Sequence, residues 1–232
     1  MLLEPHPRIR IQRRSIGDEG APLLVIDQLV DAPERLLRKA ARLQFRPQGA
    51  MFPGIRARAP LSYEVLLERV LRPVLEDVFE LPRQARMTFP MCHYSLVTLA
   101  PERLAFLQRI PHIDSTAASG LATVHYLFQG GWGGTSFYRH RHTGFETVDE
   151  VRRARYFDRL RQEESDGGAD AGYIDGDTAL FERVDRVEPA FNRMVVYRRN
   201  SLHSGDIDNA RVPPADVSAG RLSINGFIDV AP

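Results

Sequence analysis

Leu121-Ala122-Thr123-Val124-His125-Tyr126-Leu127-Phe128 is the stretch on which the fold turns. It is a short, nearly continuous apolar run with β-branched and aromatic residues, and it reads as a buried strand. Working outward, strands are predicted at residues 87–99, 135–139, 179–187, 193–197 and 221–230, with turn residues between them. Upstream, residues 23–30 suit a strand and residues 32–45 an amphipathic helix, with Asp31 as its N-cap and Glu34 completing a capping box. A second helix is expected over residues 61–79, capped by Ser62 and broken at Pro73. Residues 149–164 are charged and helical in pattern, and a Gly/Asp-rich loop follows at 165–176. Helices first and strands after predict an α+β, mainly β protein, with the early helices packed on a β-sandwich or barrel.

The chain has 232 residues, enough to bury a core without disulfides, and is expected to form a single domain over 1–232. Residues 1–86 would supply the N-terminal strand and helices, and 87–232 the β core, interrupted at about 146–178. Lys+Arg is 31 and Asp+Glu is 30, which gives no electrostatic reason to expect nucleic acid or an anionic membrane as partner. The cations are nearly all arginine, Lys39 being the single lysine, and they are scattered among acids as on a solvated surface. One cysteine, Cys92, rules out an internal disulfide and points to a reducing compartment. Residues 1–14 lack the apolar stretch of a signal peptide, and no run approaches the ~20 apolar residues of a membrane span. A cytoplasmic location is expected.

The chemistry concentrates at Pro111-His112-Ile113-Asp114-Ser115. Side chains two apart on extended chain point the same way, so His112 and Asp114 present an imidazole and a carboxylate to one point. A histidine from a distant strand would complete a two-His-one-carboxylate face, the arrangement of non-haem Fe(II) oxygenases that leaves metal positions open. His203, which follows the strand predicted at 193–197, is placed for that role. The H-x-D pair alone occurs by chance in many chains, and its context carries most of the weight.

That context is an ordered set of pieces: Cys92-His93-Tyr94; His112-x-Asp114; His125-Tyr126-Leu127; Gly133-Gly134-Thr135-Ser136-Phe137-Tyr138; Val187-Glu188-Pro189-Ala190-Phe191-Asn192-Arg193 leading into Met194-Val195-Val196-Tyr197; then His203 and Arg221. Residues 87–229 thereby resemble the prolyl-hydroxylase-like branch of the Fe(II)/2-oxoglutarate dioxygenases, as an uncharacterised bacterial family of that type. The resemblance implies a double-stranded β-helix (jelly-roll) barrel. It also implies Fe(II) on His112, Asp114 and His203, 2-oxoglutarate as cosubstrate, O₂, and hydroxylation of a C–H bond in a small molecule or peptide. It assigns the distal carboxylate of 2-oxoglutarate to Arg221, since a guanidinium grips a carboxylate with two hydrogen bonds. Arg211 competes, but the Val-Pro-Pro that follows it does not suit a central strand, whereas Arg221 opens Leu-Ser-Ile-Asn-Gly-Phe-Ile. Ser223 and Tyr126 are expected at the same carboxylate and Tyr94 near the chelated end. Two insertions, at about 146–178 and between His203 and Arg221, depart from the family pattern and put a prolyl substrate in doubt.

Other features are weaker. The run Gly130-Gly131-Trp132-Gly133-Gly134-Thr135 lacks the lysine of a phosphate loop and reads as a tight turn, with Trp132 either covering a substrate or packed at the surface. His140-Arg141-His142 is expected as a polar strand end near the mouth of the site, or less readily as a second cation site. Cys92 has no nucleophilic setting. The readings that compete with an oxygenase are a non-catalytic metal- or ligand-binding module and a cupin-type enzyme that uses no 2-oxoglutarate.

Overall fold

The computed structural model describes residues 2–49, 51–82 and 84–231. Its strands are β1 (Arg10–Ile16), β2 (Ala21–Asp27), β3 (Arg46–Pro47), β4 (Gly54–Arg58), β5 (Arg86–Val97), β6 (Leu121–Tyr126), β7 (Thr135–His140), β8 (Phe181–Val187), β9 (Arg193–Arg198), β10 (His203–Gly205) and β11 (Leu222–Ala231). Its α-helices are α1 (Glu34–Ala40), α2 (Leu61–Leu71), α3 (Leu75–Phe79), α4 (Phe106–Arg109) and α5 (Glu150–Ser165). An eight-stranded sheet runs in the order β1-β2-β9-β6-β11-β5-β4-β3, and a three-stranded sheet in the order β10-β7-β8. All strand pairs are antiparallel.

Alternation along the strands assigns each face of the large sheet. Leu24, Ile26, Tyr94, Leu96, Leu222 and Ile224 point to one side and pack with Leu36, Tyr63, Leu67, Leu71 and Phe79 of α1–α3. On the other side Val25, Ala122, Val124, Tyr126, Val195 and Tyr197 meet Phe137 and Val187 of the small sheet. Tyr138 and Phe181 face outward from the small sheet and pack against Tyr156 and Leu160 of α5. The layers are thus helices, large sheet, small sheet, helix, and β6 is buried at every position. A central strand buried on both faces reads as a continuous apolar run, as 121–128 does.

The N-terminal part departs from expectation. It contributes four strands rather than one, with β1 and β2 on one edge of the large sheet and β3 and β4 on the other. Arg10–Ile16 is mostly exposed and charged, so no apolar alternation marks it. Helix α1 is shorter than 32–45, and neither the Asp31 cap nor the capping box forms. Its first amides go instead to backbone carbonyls, Arg35 N to Ala32 O at 3.1 Å and Leu36 N to Pro33 O at 2.9 Å. Ser62 lies inside α2, whose N-cap is Pro60. The break at Pro73 is present, as a 3₁₀ turn over Arg72–Val74 between α2 and α3. Asp149 caps α5, accepting from Arg152 N at 2.9 Å.

A buried polar chain ties the sheet to its helices. Asn192 sits at φ +64°, accepts from Val30 N at 3.1 Å and donates to Val30 O at 2.8 Å. Its Oδ1 also lies 3.1 Å from His125 Nε2, and His125 Nδ1 lies 3.0 Å from the Tyr63 hydroxyl of α2. Replacing Asn192 by Ala removes buried hydrogen bonds and leaves alanine in the left-handed region, so stability should fall by about 3 kcal/mol, measured by urea denaturation. Burial pushes His125 down to about 4, against an ordinary value of 6.5. The unfolded chain therefore binds the extra proton between those values, and His125 contributes stability above pH 6.5 that is lost as pH falls toward 4. His125→Gln should make unfolding free energy less steep in pH across that window.

Candidate metal centre and its cavity

The stretch Pro111-His112-Ile113-Asp114 is laid antiparallel to the chain entering β10. His112 and His203 exchange both backbone hydrogen bonds, each 3.0 Å, and Asp114 N donates to Arg199 O at 2.8 Å. Directly opposed residues of an antiparallel pair put their side chains on one side, and Asp114 follows two residues later on that side. Ligand atoms of His112, Asp114 and His203 accordingly all lie within 4.8 Å of one another. Asp114 Oδ1 is 3.7 Å from His112 Nε2, and Asp114 Oδ2 is 3.6 Å from His203 Nε2.

Both imidazoles turn Nε2 toward Asp114. His203 Nδ1 lies 2.9 Å from the Ser201 carbonyl, so Nδ1 carries the proton and Nε2 offers its lone pair to the cluster. Burial and then the adjacent His203 hold His112 down to about 4. Its side chain is still 42% exposed, because one edge of the ring opens to the cavity. Two imidazoles and one carboxylate on one side are a donor set for a divalent ion with positions left open.

The cluster opens into a cavity of about 130 Å³ between the two sheets. Its floor comes from Val124, Tyr197, Asn225 and Phe227 of the large sheet, and Thr135 of β7 faces them. Arg221 lines it too, although the residue is only 5% exposed. Arg221 Nε donates to Gly133 O at 2.8 Å and Nη2 to Gly134 O at 2.6 Å. The glycine run is therefore the seat of this guanidinium, and it is a tight one: a Cβ on Gly134 would run into the Val187 carbonyl. Among the described residues no carboxylate pairs with Arg221, and burial lowers its pKa. A buried cation held only by neutral carbonyls is costly unless an anion joins it.

The other residues singled out from the sequence divide. Tyr126 packs under Arg221, ring centre to Cζ 6.0 Å, but its hydroxyl is engaged with Thr135 Oγ1 at 2.7 Å. Ser223 falls between Arg221 and Asn225 in the strand alternation, and its hydroxyl donates to Asn225 Oδ1 at 2.6 Å rather than entering the cavity. Tyr94 is a correction. It has the parity of Leu96, points toward the helices, and donates to Leu36 O at 3.0 Å, away from the metal cluster. Arg211 is exposed and stacks on Trp132 at 4.5 Å. Trp132 is buried and donates to Ala219 O at 3.0 Å, which fastens the 204–220 segment; it does not line the cavity. His140 is also corrected: it is fully buried, 2.9 Å from Glu163 of α5 and 2.9 Å from Thr143, and locks the helix to β7. Burial pushes the Cys92 thiol up to about 12, consistent with an inert core cysteine.

The cavity also has walls the sequence did not announce. Met51, Phe52 and Arg56 come from the loop and strand at the β3–β4 edge. Tyr173 and Ile207 come from the two insertions, which are clasped together: Tyr173 N donates to Asn209 Oδ1 at 2.7 Å and Asn209 Nδ2 to Tyr173 O at 2.9 Å. Alternation past Arg221 would have found Asn225 and Phe227. Nothing in the sequence marks Arg56, because β4 is short and flanked by turns.

A family model described as a family of unknown function (DUF6445) matches residues 7–228. The chain belongs to DUF6445. No curated protein matches the sequence. Among solved structures, the DUF6445 chain is similar to HygX from Streptomyces hygroscopicus with nickel and 2-oxoglutarate bound. The TM-score is 0.54 at 13% identity, covering 91% of this chain and 84% of HygX. It is also similar to the non-haem α-ketoglutarate-dependent epimerase SnoN from nogalamycin biosynthesis, with TM-score 0.50 at 13% identity, covering 89% of this chain and 76% of SnoN. The likeness is one of fold: a mostly β chain in two sheets, like those of 2-oxoglutarate-dependent enzymes. No helix among the described residues is long and apolar enough to cross a membrane.

Removing a ring nitrogen from the cluster tests it directly. His112→Ala and His203→Ala should each weaken Mn(II) binding, followed by calorimetry, by more than about a hundredfold, while the far-ultraviolet circular dichroism is unchanged.

Proposed function

We propose that the protein is a non-haem Fe(II)- and 2-oxoglutarate-dependent oxygenase of the prolyl-hydroxylase-like branch, its two sheets forming a double-stranded β-helix, and that it acts in the cytoplasm. One observation carries this reading. A His-Asp-His cluster and a buried guanidinium with no carboxylate partner among the described residues line the same cavity. The donor set suits Fe(II), and the guanidinium suits the far carboxylate of a dicarboxylate chelated at the metal.

In this reading His112, Asp114 and His203 hold the ion and leave positions for cosubstrate and O₂. With Fe(II) and 2-oxoglutarate bound, the site supplies oxidation of a C–H bond, O₂ being consumed and 2-oxoglutarate converted to succinate and CO₂. The protein's own work is placement. The carbonyls of Gly133 and Gly134 fix the direction of Arg221, and Tyr126, held by Thr135, supports it from below. Tyr197 packs on His203 with ring centres 4.7 Å apart and keeps that imidazole in line. Phe52, Leu107, Ile110 and Phe227 exclude water from the space beside the cluster. Asp114 fills the third protein position, and hydroxylation is the proposed outcome. Ser223 reaches the site only through Asn225.

The test is anaerobic. Fe(II) and 2-oxoglutarate should give a visible charge-transfer band that His112→Ala abolishes. Arg221→Met should raise the 2-oxoglutarate concentration for half-maximal band by about tenfold or more, the scale of lost charge-assisted hydrogen bonds, and Arg211→Ala should leave it unchanged. No band and no thermal stabilisation by either ligand would instead favour a metal- or ligand-binding module, and a tight metal without 2-oxoglutarate binding would favour a cupin-type enzyme.

A further inference from the structure

Arg221 is not the only guanidinium that the cavity encloses. Arg56 of β4 lines it as well. Its register explains the direction. Arg56 pairs with Ser95 on β5, Ser95 pairs with Ser223 on β11, and Arg221 and Asn225 lie one alternation to either side of Ser223. All of these share the face that looks at the small sheet.

Arg56 is held in place without being neutralised. Phe52 lies against its guanidinium at 3.9 Å, and among the described residues Nη1 reaches only the Met91 sulfur, at 3.7 Å. Nε is buried with no hydrogen-bond partner. Among the described residues no carboxylate forms an ion pair with it; Asp114 is the acid whose field it feels. An aromatic face beneath a guanidinium leaves the in-plane N–H groups free for a planar anion.

Charge makes the same point. With a divalent ion in place the cavity carries the ion, Arg56 and Arg221 as positive groups and Asp114 as its carboxylate. Under the function proposed above, the dianion 2-oxoglutarate meets the ion and Arg221 and leaves one positive charge over. Arg56 is half-buried, and leaving its charge unpaired there is unfavourable, so a further anion would complete the site. The adjoining wall of Met51, Phe52, Leu107 and Ile110 is apolar, which suits the body of a small organic molecule.

We propose that Arg56 anchors a carboxylate of the primary substrate, so that the substrate is an organic acid with an apolar body, oriented by Arg56 with its reacting carbon toward the metal cluster. This inference rests on the oxygenase reading, and it makes Arg56 a specificity-determining residue.

Matched probes test it. The protein is loaded with Mn(II) and saturating 2-oxoglutarate, then titrated calorimetrically with phenylacetate and phenylacetamide, and with hexanoate and hexanamide. The acid should bind about tenfold or more tighter than its amide in at least one pair, the scale of a charge-assisted hydrogen bond. Arg56→Met should erase that preference and Arg56→Lys retain part of it, with the far-ultraviolet spectrum of each variant as the check on folding. Arg56→Met should weaken 2-oxoglutarate far less than Arg221→Met does. No preference for the acids in the loaded protein, or a preference that survives Arg56→Met, overturns the proposal. So does a loss of 2-oxoglutarate binding in Arg56→Met as large as in Arg221→Met, because Arg56 would then be the cosubstrate's anchor. Failure of Mn(II) and 2-oxoglutarate to bind the wild-type protein at all is a separate result, and it sinks the oxygenase reading itself.

Discussion

Two backbone hydrogen bonds between His112 and His203 hold the centre of this molecule together. They join a loop that precedes β6 to the short strand that follows β9, two stretches far apart in sequence. Because the bonded pair is directly opposed, both rings emerge on one side, and strand geometry brings Asp114 to the same side two residues on. No flexible side chain has to find the others. Ser201 then fixes the tautomer of His203 through a carbonyl that the same turn supplies. The outer helix depends on this arrangement too, since Ile110 and Leu202, neighbours of the paired strands, belong to the apolar cluster under α5.

The second constraint is charge. Two sheets packed face to face ordinarily fill the space between them with apolar side chains, and this pair does so around Val25, Val195 and Phe137. At one end the filling stops and the residues become His112, Asp114, His203, Arg56 and Arg221. Burying guanidinium groups against carbonyls, a thioether and aromatic rings lowers the stability of the protein without ligands. The cost is tolerable where anions complete the site, and the arrangement is better explained by ligand recognition than by stability.

The sequence showed much of this unevenly. Long buried strands such as β6 and β9 were legible because burial on both faces demands unbroken apolar runs, and H-x-D was legible because extended chain repeats every two residues. Edge strands were not. Arg10–Ile16 at one edge and Gly54–Arg58 beside the other take their structure from neighbours in the sheet; the first is largely polar and the second is too short to show a period. Parity was the subtler failure. Tyr94 belongs to the right strand but to the wrong face, and only the pairing Ile224↔Tyr94 beside Ser223↔Ser95 reveals it. A resemblance aligns strands well, but an error of a single residue turns a wall of the cavity into the core behind it.

Arg56 shows how the two shortcomings combine. It lies on β4, a short strand that no periodicity announced, and it reaches the cavity only because β4 joins β5 in one register. Ala57 opposite Tyr94 faces the helices, so Arg56 opposite Ser95 faces the cavity. The floor of the site is carried on rigid central strands, whereas Arg56, Phe52, Tyr173 and Ile207 come from the edge and from the insertions. Under the proposed function, metal and cosubstrate chemistry would take its fixed geometry from central strands, and discrimination among substrates would fall to segments that vary without disturbing the core. The clasp between Tyr173 and Asn209 joins the two insertions into one roof, so a change in either alters the same boundary of the cavity.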